Sequence, residues 1–478
     1  MENIVLNEKQ QYIYEKMMEG HNIFLTGEAG TGKSTVLNEF IKHNQNKKIV
    51  ICAPSGIAAI NIGGVTMHRA FQIPLSPCPK NKKGIPKIIK EADIIIIDEI
   101  SMCRLDVFDF VAEIIFKEIS RREKEDGYAI LQTIVVGDFF QLPPVLMPEH
   151  KKILDTYYEC DVKNAFAFQS KYWEKFYFKA VQLTEVMRQN DIDFINALNK
   201  IRYGVTEALD YFSSNASKEE IKEGIIVCSK NQLAKDINEQ KLKELTSPSK
   251  KYFSKIKGEV KESDKPTDDL IELKVGARIM MLTNHKEGLW LNGSLGTVEK
   301  LNDKSIEVIL DNGNKAHVEM HSFQIEKYVI MESVNENGDP ITKLEKEIIG
   351  IFKQFPIKLA YAITIHKSQG QTYDAVNLHP LSWSPGQLYV ALSRAKSIDK
   401  LHLLSYLSPK FLISAPEVIE FYQNTINDFN VIQIKKPNEI IEKKKKSKKK
   451  IEMKSIKVPV DLIPEIKKFI KEYVEKIE

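Results

Sequence analysis

No apolar run in this chain approaches the roughly eighteen or more residues that a membrane-spanning helix needs, which argues against a membrane protein. The opening Met1-Glu2-Asn3 lacks the basic region and apolar core of a secretory leader. Cysteine is scarce: Cys52, Cys78, Cys103, Cys160 and Cys228 are the only five in 478 residues, far apart and in no paired spacing. That excludes a disulfide framework and a cysteine-rich zinc site, and it reads as the reduced thiols of a cytoplasmic protein. A large net charge is missing too. Lys443–Lys446 and Lys448–Lys450 hold seven positive charges, so the formal +4 leaves −3 for everything else. A near-neutral body has no global field for a polyanion, so any such contact must come from a local track. What remains, 43% apolar and 28% charged residues, is enough for two to four domains with large cores.

The strongest positive signal is Gly27-Glu28-Ala29-Gly30-Thr31-Gly32-Lys33-Ser34, directly after the apolar run Ile23-Phe24-Leu25-Thr26. A G-x-x-x-x-G-K-[ST] spacing between a strand and a helix is a phosphate-binding loop. Its glycines let successive N–H groups turn inward, and the helix starting near Lys33 adds its positive end. The nucleotide contacts expected are Gly27, Ala29, Gly30, Thr31, Gly32, Lys33, Ser34 and Thr35, with Lys33 reaching the terminal phosphates and Ser34 holding Mg²⁺. A second apolar run, Ile94-Ile95-Ile96-Ile97, ends in Asp98-Glu99. Buried parallel strands read as continuous apolar runs, and ligands gather at their carboxyl ends. Asp98 is therefore expected to hold the metal and Glu99 to polarise the attacking water. A third run, Thr133–Val136, leads to Gly137-Asp138-Phe139-Phe140-Gln141, where Gln141 is placed to sense the terminal phosphate.

Apolar strands alternate with helical periods to about Leu183, near 22–26, 48–53, 93–98 and 130–137, as in a doubly wound α/β domain. Four prolines between Gly64 and Pro86 mark an excursion from that sheet, a small insertion over about 63–90. A second α/β block spans 184–245 and 353–430, with strand Gly224–Cys228 and a helix from Asn231 to Leu245. Between its halves, over 246–352, Asn292-Gly293, Asp311–Lys315 and Asn337-Gly338 mark hairpins of an inserted antiparallel barrel. Residues 431–457 are too lysine-rich to pack, and 458–478 carry helical spacing at Ile466, Ile470, Tyr473 and Ile477. Two α/β blocks sharing one triphosphate imply cations that reach it from the second. Arg188 and Arg394 are the candidates for such catalytic arginines.

These segments, in this order, resemble superfamily-one DNA helicases of the 5′-to-3′ class, most closely the Pif-type family related to the Dda and RecD helicases. The resemblance runs from about Leu6 to Leu404. It implies two RecA-like parallel-sheet domains with a small wedge insertion and an SH3-like β-barrel inserted in the second. Leu6-Asn7-Glu8-Lys9-Gln10 is similar to the motif that reads adenine, which implies ATP with Gln10 as reader. Ala53-Pro54-Ser55-Gly56 is similar to a motif gripping the DNA backbone, Val65-Thr66-Met67-His68 to a family Thr-x-His, and Thr364–Thr372 to the fifth family motif. The resemblance implies strand contacts from Pro54, Ser55, Gly56, Thr66, His68, Asn231, Thr364, His366, Lys367 and Ser368, and a nucleotide contact from Gly370. Neither His68 nor His366 has a metal-ligating partner at useful spacing. Phe71 and Trp290 are expected in the core. Ser55, Tyr361 and Ser229-Lys230-Asn231 replace the usual threonine, tryptophan and Thr-Asn while keeping hydroxyl, aromatic and amide character. The implied partners are single-stranded DNA and forked duplex, with G-quadruplex a further possible substrate, for a monomer. An RNA-unwinding enzyme and a strand-stimulated ATPase switch that remodels protein–DNA complexes stay open as alternatives.

Overall fold

Short β-branched runs bounded by glycine and acidic residues become the strands of a parallel sheet, because only burial on both faces suits four or five apolar residues in succession. A computed structural model describes residues 5–74, 76–80, 84–127, 130–187, 189, 191–221, 224–334 and 340–426. All of them fall within one unit, Met1–Phe429. Arg188, the Asn337-Gly338 turn, the lysine-rich run and the helix expected after it lie outside the described residues.

The first sheet has six parallel strands in the order Val65–Thr66, Ile49–Ala53, Ile94–Ile97, Gln132–Val136, Ile23–Gly27, Lys179–Leu183. Phe24 is in register with Val135 on one side and Ala180 on the other. Parallel pairing brings Gly27, Ala53, Ile97 and Val136 out at one edge, so every motif after those strands meets there. Helices Glu8–Met18 and Lys33–His43 cover one face through Ile13, Met17, Val36, Leu37 and Phe40. The other face is aromatic. Phe24, Phe139 and Trp173 pack with Phe421, which stacks on Phe168 at 4.3 Å. Phe421 belongs to helix Pro416–Thr425, so the end of the second α/β segment crosses back to cover the first sheet.

The second sheet has four parallel strands, Ala362–Thr364, Ile225–Cys228, Val376–Leu378 and Leu401–Leu403. Helices Ile192–Arg202, Ala208–Asn215 and Gln387–Leu392 share its core. The inserted segment forms a five-stranded antiparallel sheet, Lys315–Glu319, Ser305–Leu310, Leu295–Leu301, Arg278–Met281, Ile357–Leu359. It therefore extends past the expected end at 352, because Ile357–Leu359 pairs with Arg278–Met281 before the chain enters Ala362–Thr364. A long hairpin, His321–Val334 with Pro340–Gln354, reaches the first lobe. There the Tyr328 hydroxyl accepts from Ile51 N at 3.1 Å, and Arg69 Nη1 donates to Glu326 O at 3.0 Å. Among the described residues no helix is long and apolar enough to cross a membrane.

Candidate nucleotide site and strand channel

Backbone geometry builds the phosphate loop. Gly27, Gly30 and Gly32 all hold positive φ, and a Cβ at Gly32 would lie 2.5 Å from the Gln10 amide nitrogen. Helix Lys33–His43 starts at Gly32 without a side-chain cap, which leaves its first N–H groups to an anion. Gln10 is fixed by a capping box with Asn7, and its Nε2 donates to Thr31 O at 3.1 Å, so the expected base reader sits on the loop. Lys33 Nζ donates to Gly27 O and Glu28 O, both at 2.9 Å. Burial lowers its pKa, and Asp138 and Glu99 act against that shift.

Asp98 and Glu99 follow the Ile94–Ile97 strand, and Glu99 N donates to Asp98 Oδ1 at 2.9 Å. Glu99 adopts φ 50°, a left-handed conformation that costs roughly 1–2 kcal/mol outside glycine. Burial, then the neighbouring Asp98, pushes its pKa up to about 7, suited to taking a proton near neutrality. Ser34, Asp98 and Glu99 line one cleft of about 1540 Å³. A serine hydroxyl with one carboxylate suits Mg²⁺, which takes few protein oxygens and shares the rest with phosphates. Burial raises the pKa of Asp98, a cost that a bound cation would offset. Among the described residues no three His, Cys, Asp or Glu side chains converge on a metal.

The second lobe meets this site closely. Gly386 caps helix Gln387–Leu392 at φ 72°, and a Cβ there would lie 2.1 Å from Gln141 O. The Tyr389 hydroxyl accepts from Ala29 N at 3.1 Å, and Gln369 Nε2 donates to Glu99 Oε2 at 3.0 Å. Gln141 Nε2 donates to Asp138 Oδ2 at 3.3 Å. Asp138 in turn holds Arg202 of the second lobe, Nη2 to Oδ1 at 2.8 Å, with both side chains fully buried. The Tyr422 hydroxyl joins them, 2.5 Å from Thr26 Oγ1 and 3.3 Å from Asp138 Oδ1. Tyr389, Gln369, Arg202 and Tyr422 all escape a sequence reading. The first two lie inside recognisable motifs, but their partners sit hundreds of residues away.

The candidate arginines fare differently. Arg394 is buried, and its guanidinium donates to Val390 O at 2.8 Å and to Ser368 O and Gln371 O at 2.9 Å. It braces the turn after Thr364 and lies close enough for its charge to hold down the Glu99 pKa. Around the undescribed Arg188, Met187 N donates to Gly30 O at 2.9 Å and Gln189 Nε2 to Ala395 O at 3.3 Å.

Beyond the nucleotide end, the cleft continues between Ser55, Gly56 and Thr66 of the first lobe and His366, Lys367 and Gly370 of the second. The inserted segment adds Asn284, Asn292 and His321. Ser55 and Thr66 each cap a helix, accepting from Ala58 N and Arg69 N. Pro54, His68, Thr364, Ser368 and Asn231 do not line this cleft. Thr364 and Ser368 are buried, their hydroxyls turned to Lys367 N and Ile365 O, so they shape the turn instead of facing a strand. Asn231 is exposed at the start of helix Asn231–Glu244, which packs on the second sheet through Ala234. Burial lowers the pKa of both His68 and His366, which favours their neutral forms. Phe71 and Trp290 pack in cores, as expected.

Two parallel-sheet lobes, a phosphate loop at their seam and carboxylates at adjoining strand ends define a P-loop nucleoside-triphosphatase with a cleft shared between lobes. The sequence matches the family described as PIF1-like helicase over residues 5–211 and the UvrD-like helicase C-terminal domain over 359–398. It is 32% identical to the ATP-dependent DNA helicase Pif1 of Campylobacter jejuni, across 86% of this chain and 96% of that one. The Bdellovibrio bacteriovorus protein of the same name is 31% identical, across 88% and 92%. The crystal structure of Bacteroides Pif1 in complex with ADP-AlF4 superposes with a TM-score of 0.75 at 33% identity, covering 88% of this chain and 97% of that one. Bacteroides Pif1 bound to ssDNA scores 0.62 over the same shares. The chain belongs to the PIF1-like helicase family. Its parallel sheets are consistent with the two RecA-like domains of Pif1 structures.

Proposed function

We propose that the chain is an ATP- and Mg²⁺-dependent DNA helicase that tracks single-stranded DNA from 5′ to 3′ and opens the duplex ahead. One observation carries this reading. A single cleft runs from Ser34, Asp98 and Glu99 to Ser55, Thr66, His366 and Lys367, with walls from both lobes. Hydrolysis at one end of a shared cleft changes the attraction between its walls, and a ligand shifts such an equilibrium only by its unequal affinity for the two states. Polar caps and backbone groups suit phosphates, which are alike along the strand, so binding through them is blind to sequence. Lys367 on the cleft wall has Lys358 near it, and burial, then Lys367, lowers the Lys358 pKa to about 8 while Asp268 acts against the shift, a cost that a phosphate near the pair would relieve. In this reading Ser34 and Asp98 hold the metal, which supplies charge neutralisation at the phosphates. Lys33 and Arg188 steady the transferring phosphoryl, Arg394 braces the turn after Thr364, and Gln10 seats the nucleotide. The insertion over 63–90 serves as the wedge and the inserted β segment, read as SH3-like, covers the exiting strand. A monomer acting on forks, with G-quadruplex among its substrates, completes the proposal.

Forks bearing one single-stranded tail test it. The expected result is ATP-dependent strand displacement with the 5′ tail alone, lost in Lys33→Ala while single-strand affinity stays within about threefold. Displacement with the 3′ tail alone would overturn the polarity. Strand-stimulated hydrolysis without displacement of either fork would favour a remodelling switch.

A further inference from the structure

Glu99 and Gln141 both belong to the first lobe, yet a side chain of the second joins them. Gln369 Nε2 donates to Glu99 Oε2 at 3.0 Å and lies 3.4 Å from Gln141 Oε1. The carboxylate fixes the amide's orientation, because an acceptor at that distance requires the N–H side. The other amide atom, Gln369 Oε1, is then buried with no hydrogen-bond partner among the described residues. A buried carbonyl left in that condition costs about 1–3 kcal/mol, so its position calls for a donor. The backbone carrying it is rigid: Arg394 holds Ser368 O on one side and Gln371 O on the other, and Ser368 Oγ bonds Ile365 O.

We propose that Gln369 is a water-positioning residue for ATP hydrolysis, supplied to the first lobe's catalytic groups by the second. This rests on the nucleotide site described above. Nε2 holds the Glu99 carboxylate and the Gln141 amide at a fixed spacing, and Oε1 accepts a hydrogen bond from the attacking water. In the step itself the water oxygen bonds to the γ-phosphorus, and one water proton passes to the free oxygen of Glu99. The bond from the γ-phosphorus to the β,γ-bridging oxygen breaks, and its electron pair leaves with ADP. Gln369 exchanges no proton. Its hydrogen bond to the second O–H directs a water lone pair at phosphorus, the preorganised contact that is worth most in a closed cleft. Opening the cleft withdraws the residue, so hydrolysis waits for the lobes to meet.

The test compares Gln369→Ala, Gln369→Glu and Glu99→Gln in the full chain with Mg²⁺ and single-stranded DNA. It measures kcat, KM for ATP, and affinity for ADP and for ADP–aluminium fluoride. Gln369→Ala is expected to lower kcat about 10²–10³-fold, leaving KM and ADP affinity within about threefold. Affinity for the transition-state mimic falls in proportion to kcat. Gln369→Glu, which exchanges the donor for a second carboxylate beside Glu99, falls at least as far. A kcat within about threefold of the parent overturns the inference, as does an equal loss of ADP affinity, which would mark a structural or uniform binding role. If Glu99→Gln abolishes turnover while Gln369→Ala does not, this inference alone fails. If Glu99→Gln keeps turnover, the underlying site assignment fails with it.

Discussion

At the scale of single residues, the nucleotide site is built from groups that would be unstable apart. Arg202 and Asp138 are both fully buried, and each lobe contributes one of them. Removing one partner of such a pair strands the other charge, typically at a cost of about 3–5 kcal/mol. Arg202→Met should therefore lower the urea midpoint steeply, and adding Asp138→Asn should recover part of the loss. If the single and double variants unfold alike, the pair carries no such coupling. Lys358 runs the other way. Burial, with Lys367 beside it, lowers its pKa from the usual 10.5 to about 8, so the folded state holds this proton more weakly than the unfolded one. The penalty is complete below pH 8, and stability contributed at this site rises with pH from about 8 to 10.5. Lys358→Met should stabilise the fold at pH 7 by on the order of 1–3 kcal/mol, with the advantage fading by pH 10. The same change should weaken single-strand binding and flatten its salt dependence. Thermal melts across that pH range, with salt titrations, decide both points.

At the scale of elements, what could be read in advance follows from how much of each element's information is local. Ile94–Ile97 with Asp98-Glu99, and the glycines before Lys33, are legible because an apolar run and a Gly-rich turn need no distant partner to be recognised. The strand Ile225–Cys228 and helix Asn231–Glu244 emerge close to their expected limits for the same reason. Pro416–Thr425 shows where that logic stops. Its amphipathic face announces a helix but not which sheet it covers, and Phe421 and Tyr422 cover the first. The Tyr389–Ala29 and Gln369–Glu99 contacts were likewise hidden, since spacing within a motif does not name a partner in another lobe. Thr364 and Ser368 mislead in the opposite sense, because hydroxyls expected on a strand are spent on capping their own turn. The helix's role as cover for the first sheet has a measurable cost. Phe421→Ala should destabilise by about 2–3 kcal/mol, somewhat below the 3–5 of a fully buried phenylalanine. A change within about 0.5 kcal/mol, the usual range at an unpacked surface, would mean the helix does not cover the sheet.

At the scale of the whole molecule, the two lobes meet through contacts of two kinds. The Arg202–Asp138 pair and the close approach of Gly386 to Gln141 O are buried and resist separation. The Tyr389 contact is a single hydrogen bond to a phosphate-loop N–H, so it is free to exchange as phosphate comes and goes, whereas Gln369 reaches both Glu99 and Gln141. Contacts that resist separation beside one that exchanges with phosphate let the nucleotide state bias how closely the lobes meet. The most direct measurement places spin labels at Asn46→Cys and Lys235→Cys, one exposed position in each lobe, with Cys160 replaced by serine. Pulsed electron–electron resonance is then recorded with Mg²⁺ and ADP, and again with ADP–aluminium fluoride. A distance distribution that shifts as a whole between the two states is the expected result, with the shift lost in Lys33→Ala. Identical distributions in an enzyme that still hydrolyses ATP would contradict the account.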